Sequence, residues 1–192
     1  MKLSLLNYVT FQIGWLACVV SAANDRPMLG LLVALLVLGL HLALASRFWA
    51  EVKILLACAA IGTIFDSLLL ASDWVSYPNG EWIPGLAPYW IVAMWFLFAA
   101  TLNLSMAWLK GKMLLAAFMG LFGGPLSYIA GQNLGAIRLE NPEAALLAVA
   151  LAWTGMMPLL CLLAQRWDGF PRENSAAMVL TGWCSDRVKG RA

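Results

Sequence analysis

One histidine, four cysteines and a charged fraction of only 11% are the scarcities that bound what this 192-residue chain can be. With charge so rare and 62% of residues hydrophobic, too little polar surface remains to meet water, and a soluble domain is excluded. The 12 Lys and Arg nearly balance the 10 Asp and Glu, so there is no basic excess to draw a nucleic acid. Cys18, Cys58, Cys161 and Cys184 share no CxxC or other metal-ligand spacing, and three of them fall in apolar runs, where they read as small buried hydrophobes. HExxH, a paired Asp-rich motif for Mg²⁺ and a GxSxG elbow are all missing, and one His is too few for a di-iron site. No metal and no cofactor is therefore expected. A channel is disfavoured as well, since no ring of charges or carbonyl filter is visible.

What the chain does have is apolar length. Six stretches, at about 3–22, 27–46, 54–72, 88–109, 112–130 and 143–165, each approach the roughly 20 residues a helix needs to cross a bilayer. Polar or helix-breaking clusters separate them: Ala23 to Pro27, Arg47 to Lys53, Asp73 to Pro88, Lys110 to Lys112 and Gly131 to Pro142. Their continuous apolarity predicts helices rather than the alternating strands of a membrane barrel. The fold class expected is an all-α, polytopic integral membrane bundle of about six transmembrane helices over residues 1–165. A basic cytoplasmic tail, 166–192, follows; it contains the apolar patch Ala176 to Leu180 and either rests on anionic lipid or is disordered.

Charge sets the expected orientation. With the N-terminus inside, Lys2, Arg47, Lys53, Lys110, Lys112, Arg166, Arg172, Arg187, Lys189 and Arg191 are cytoplasmic, and only Arg26 and Arg138 are outside. Both termini are then cytoplasmic. Lys2, an apolar run and Ser21-Ala22-Ala23 also resemble a cleavable signal. The near-spanning length of the run, and Asn7, Gln12 and Trp15 inside it, predict a retained first helix instead. Two three-helix halves, 1–72 and 88–165, would be inverted relative to each other, although their residue types do not align. The loop from Asp73 to Pro88 carries Trp74, Tyr77 and Trp82 and reads as an interfacial aromatic belt, or else as a lid over an outward-facing cavity.

Polar residues inside the spans are the candidates for function, because hydrocarbon makes them costly. Asp66 shares a helical face with Ala59, Gly62 and Thr63 and so points at protein; with no Lys or Arg in any span, it is partly protonated, or reaches water or a ligand, or else sits near the outer rim and is simply hydrated. Asn103 lies on a stripe with Ala93, Ala100 and Ala107 that suits an interhelical hydrogen bond. Asn7, Thr10, Gly14, Cys18 and Ser21 form one stripe of the first span, and Tyr8, Gln12 and Trp15 a neighbouring one. His41 faces with Gly30, Ala34 and Ala45, as a structural donor or a proton carrier. Gly120, Gly124, Ser127 and Gly131 predict close packing of the fifth span, Pro125 a kink, and Tyr128 a polar outer end. At 1.5 Å per residue, Asn7, His41 and Asn103 fall in one layer roughly 6–9 Å from the inner ends of their spans, Gln12 at about 13 Å and Asp66 at about 18 Å. The expectation is an inward-facing polar pocket lined by Asn7, His41 and Asn103 with Gln12 at its floor, Glu51 of the cytoplasmic loop at its mouth, and Asp66 too far from His41 to pair directly.

Three segments, NYVTFQIGW in the first span, WFLFAATLNLSMAWL in the fourth and GPLSYIAGQNLGAI after the fifth, resemble an uncharacterised family of bacterial inner-membrane proteins, domain of unknown function 2878. The resemblance covers essentially the whole chain and implies a multi-pass inner-membrane topology rather than an activity. It also implies proximity to lipid, because family members tend to be encoded near lipid-modifying enzymes of the cyclopropane-synthase type. The family's fourth-helix motif usually reads Asn then His; Leu104 after Asn103 departs from it and weakens a catalytic reading. Enzyme, carrier and scaffold stay open, with Asp66 and His41 as the candidate catalytic groups. The expected role is binding, and modifying or translocating, a lipid or other amphipathic molecule through Asn7, Gln12, His41 and Asn103. The alternatives are a small transporter or a non-catalytic assembly partner of other membrane proteins or of further copies of itself.

Overall fold

A computed structural model of the chain describes residues 2–171. Its six α-helices are α1 (Lys2–Ala23), α2 (Pro27–Ala43), α3 (Phe48–Ala71), α4 (Tyr89–Leu102), α5 (Met113–Asn133) and α6 (Pro142–Arg166). Two two-residue strands, β1 (Val75–Ser76) and β2 (Arg138–Leu139), complete it with a 3-10 turn at Ala107–Leu109. Helices α1, α3, α5 and α6 are long and apolar enough to cross a membrane, while α2 and α4 are shorter apolar helices. Large apolar side chains stand exposed around the bundle, among them Leu36, Leu68, Leu114, Leu126 and Leu151. Such a perimeter is stable in lipid and not in water.

The loops alternate between two ends. At one end lie the α1–α2, α3–α4 and α5–α6 connections. There β1 pairs antiparallel with β2, Val75 opposite Leu139, and the Asn79 amide donates to Ala22 O at 2.9 Å and Asp25 Oδ1 at 2.7 Å. At the other end Arg47 N donates to Gly169 O at 3.0 Å, and Lys110 Nζ meets Asp168 Oδ2 at 2.8 Å. Helix ends follow local chemistry. Pro27 and Pro142 occupy the first turns of α2 and α6, where a missing N–H costs nothing. Gly135, at φ 87°, closes α5 by letting Ala136 N return to Gly131 O at 3.0 Å.

Packing is by small residues. The α1–α2 hairpin crosses where Gly30 sits against Cys18, and Gly30 N donates to Ser21 Oγ at 3.1 Å. Helices α5 and α6 meet through Gly120 and Gly124 against Trp153, and α5 continues through Pro125. Cys18, Cys58 and Cys161 are buried; Cys184, the Ala176 to Leu180 patch and the tail charges Arg172, Arg187, Lys189 and Arg191 lie outside the described residues.

Two boundaries differ from the sequence reading in ways that matter. Helix α3 begins at Phe48, so Glu51 is not in a loop but in the first turn of a helix, fully buried. Hydropathy treats an acid as a stop, whereas this one has buried partners waiting. Helix α4 ends at Leu102, not near 109, and Asn103 leads out of it into a turn and then the 3-10 segment. Asn103 is consequently not on a continuous helical stripe with Ala107.

An added Cβ at Gly120 would meet the Trp153 carbonyl oxygen, which cannot move aside, while one at Gly123 meets open space. Gly120→Ala should therefore lower stability by about 1–3 kcal/mol through overpacking, and Gly123→Ala should be neutral or stabilising by up to about 1 kcal/mol through helix propensity. Thermal unfolding of the two variants in detergent checks the contrast; equal melting temperatures would refute this packing.

Candidate functional site

Glu51 is the hub of the first polar cluster. His41 Nε2 lies 2.8 Å from its Oε1. Its Oε2 accepts from Asn103 Nδ2 at 2.7 Å and from Gly169 N at 3.1 Å. Asn103 Nδ2 also donates to Trp167 O at 3.0 Å, and the Phe170 ring packs on His41 with centroids 5.1 Å apart. Residue 169 has to be glycine for this approach, because a Cβ there would collide with the Glu51 carboxylate. Asn103 Oδ1 is buried and finds no partner among the described residues. The cluster thus ties α2, α3, the end of α4 and the segment after α6 into one closed knot.

Asn7 repairs the break in α4. Its Nδ2 donates to Ala100 O at 3.1 Å, and its Oδ1 accepts from Ser105 N at 3.2 Å and Ser105 Oγ at 2.7 Å. Ala100 O and Ser105 N are backbone groups that an unbroken helix would have satisfied itself. Asn7 and His41 both border a small cleft between α1 and α2 that has room for about 10 Å³, no more than a water molecule.

The second cluster surrounds Asp66, which is 2% exposed rather than hydrated at a rim. Its Oδ1 accepts from the hydroxyls of Tyr77, at 2.6 Å, and Tyr128, and its Oδ2 accepts from Trp95 Nε1 at 2.6 Å. Gly62, one turn before Asp66, makes this possible, because any Cβ at 62 would occupy the Trp95 ring. Tyr77 comes from the Asp73 to Pro88 loop, which dips into the bundle rather than merely forming a belt. Burial first, and the neighbouring Asp66 second, hold the Tyr77 phenol well above its ordinary pKa, so that it remains a donor.

Beside Asp66 lies a cavity of about 480 Å³ bounded by α1, α4, α5 and α6. Its walls include Gln12, Trp15, Trp95, Phe98, Tyr128 and Trp153. Trp95 stacks on Trp153 with centroids 5.1 Å apart, and Phe98 stands edge-on to both. Trp153 Nε1 is buried and finds no partner among the described residues. Met119 and Gly123, which also line the cavity, are exposed, so the space reaches the perimeter of the bundle. The volume lies within the range of small-molecule sites, roughly 300–1,000 Å³.

Of the four residues expected to hold a headgroup, only Gln12 lines this cavity, its amide donating to Tyr8 OH at 3.1 Å. Asn7, His41 and Asn103 do share one end of the bundle, but Asn7, His41 Nε2 and Asn103 Nδ2 bond to protein groups. They form no common pocket with Gln12. Sequence reasoning missed Trp95, Trp153, Ser105 and the segment Trp167 to Phe170. The indoles had a faint signal, since each is a polar N–H inside an apolar run; the last segment had none, being read as the start of a tail. Among the described residues, no three His, Cys, Asp or Glu side chains gather as metal ligands.

A family model described as a protein of unknown function (DUF2878) matches residues 4–159, and the chain belongs to that family. No curated protein and no solved structure matches it.

Asn103→Leu removes two hydrogen bonds, one of them to a buried carboxylate, and leaves Glu51 short of a donor. It should destabilise the protein by about 1.5–3 kcal/mol, the range for bonds to charged groups. Denaturant titration in mixed micelles measures this, and an unchanged unfolding midpoint would show that the knot contributes nothing.

Proposed function

We propose that this member of the DUF2878 family is a multi-pass membrane protein that takes an amphipathic molecule from the bilayer into the cavity beside Asp66. The observation that carries the reading is the cavity itself: a ligand-sized, aromatic-walled space with one buried carboxylate at its edge and an approach through exposed residues of α5. The polar end of the ligand sits at Asp66 and Gln12, and its apolar part lies along Trp15, Phe98 and Trp153. This shifts the headgroup site away from Asn7, His41 and Asn103, whose partners are intramolecular. Binding or carrying such a molecule requires only these groups, with no nucleophile or metal.

All six helices cross the membrane in this reading, with both termini cytoplasmic in a bacterial inner membrane. The alternating loops support it, as does the sorting of Arg26 and Arg138 to one end and Arg47, Lys53, Lys110 and Lys112 to the other. Helix α4 covers only about 21 Å at 1.5 Å per residue; the turn and 3-10 segment after it make up the remaining depth, shielded by α1 and the segment after α6. Reporter fusions at Pro78 and Asn141 should report the outer side, and those at Gly111 and Ala192 the cytoplasm. A fusion at Gly111 that reports the outside would end the six-span arrangement.

Gly123→Phe tests the cavity, since the new ring enters open space at its mouth without disturbing backbone. Native mass spectrometry of wild-type protein should show a retained lipid or amphiphile beyond the annular background, and Gly123→Phe should lose it at an unchanged melting temperature. Equal retention in both would remove the cavity from consideration and leave an assembly role, in which the small-residue faces serve other subunits.

A further inference from the structure

The charge balance inside the bundle narrows the class of ligand. Among the described residues the only ion pairs are His41 with Glu51 and Lys110 with Asp168, both at the end of the bundle opposite Asp66. All three groups that donate to Asp66 are neutral: two phenols and an indole. A carboxylate offers about four lone-pair positions, and three are taken, so room for one more donor remains on Oδ2. When ionised, the site therefore has directional support but no countercharge among the described residues.

Among the described residues no Lys or Arg lines the cavity, and six of the residues lining it are aromatic. Trp and Tyr faces attract cations through the ring quadrupole, the more so where water is excluded. The Trp95–Trp153 stack and the edge-on Phe98 hold those faces in place. A negatively charged headgroup would meet Asp66 as a like charge with no cation to offset it, and a neutral alcohol would fill the vacant lone pair while leaving the charge unbalanced. A cation does both.

We infer that the cavity is selective for a cationic amphiphile, with an amine or quaternary ammonium group seated against Asp66 and the aromatic walls and its apolar chain running toward Met119 and Gly123. This rests on the reading that the cavity accepts an amphipathic molecule at all. The chemistry recognised is the positive nitrogen on an apolar chain.

Purified full-length protein in nanodiscs, titrated below micellar concentrations and followed by tryptophan emission, separates the possibilities with three probes of one chain length: dodecyltrimethylammonium, dodecanol and dodecyl sulfate. Wild type should bind the ammonium probe about tenfold or more tightly than the alcohol, and the sulfate weakest. Asp66→Asn should erase the difference between ammonium and alcohol; the comparison of probes on wild type stands by itself where that variant does not fold. Equal affinity for the three probes, preference for the sulfate, or an undiminished ammonium preference in a folded Asp66→Asn variant would each overturn the inference while leaving the cavity reading intact. Binding of no probe, or binding that Gly123→Phe does not weaken, would overturn the cavity reading itself.

Discussion

A carboxylate buried in an apolar bundle must gather its donors from whichever segments can reach it, and α3 carries two such groups. Glu51 and Asp66 are its only acids, about 22 Å apart along the axis at 1.5 Å per residue. Glu51 draws in α2, the end of α4 and the chain after α6. Asp66 draws in α4, α5 and the loop between α3 and α4. Apolar packing alone discriminates weakly between helix arrangements in lipid, because the tails are as apolar as the side chains. Two fixed points near opposite ends of one helix remove that freedom.

Helix α4 serves both fixed points, and its early end is what allows this. It lends Trp95 from its middle to Asp66, and at its broken end Asn103 turns toward Glu51. A helix stopping within an apolar bundle leaves carbonyl groups without partners. Asn7 from α1 takes one, Met106 N returns to Thr101 O at 2.8 Å, and Ser105 is held by the same Asn7. Irregular backbone inside an apolar bundle persists where protein covers it, and α1 supplies the cover. Asn7 is therefore structural in a specific sense, because it replaces hydrogen bonds that the break removed.

How much of this could be read from the residues depended on whether the signal was local. The apolar runs gave the helices, since length and hydropathy need no knowledge of neighbours, and small-residue spacing marked the packing faces at Gly30, Ala34, Gly120 and Gly124. Partners in other segments left no local mark. Glu51 looked like loop punctuation because its cost is visible in the sequence while His41, Asn103 and Gly169 lie 10, 52 and 118 residues away from it. Asn103 looked helical because Ala107 continued its stripe, and no proline or glycine announced the break. Depth counting placed Asn7, His41 and Asn103 at the same level. It could not say which way each side chain pointed, and that depends on crossing angles set by Gly30, Gly62 and their neighbours.

The contact of Gly169 with Glu51 bears on how the chain is made. Helix α3 is synthesised long before residue 169, so its acid waits with an incomplete set of donors while α4, α5 and α6 are made. His41 is the one member of its donor set already present at that stage, ten residues upstream. The last described residues of the chain therefore act as the closing step of assembly.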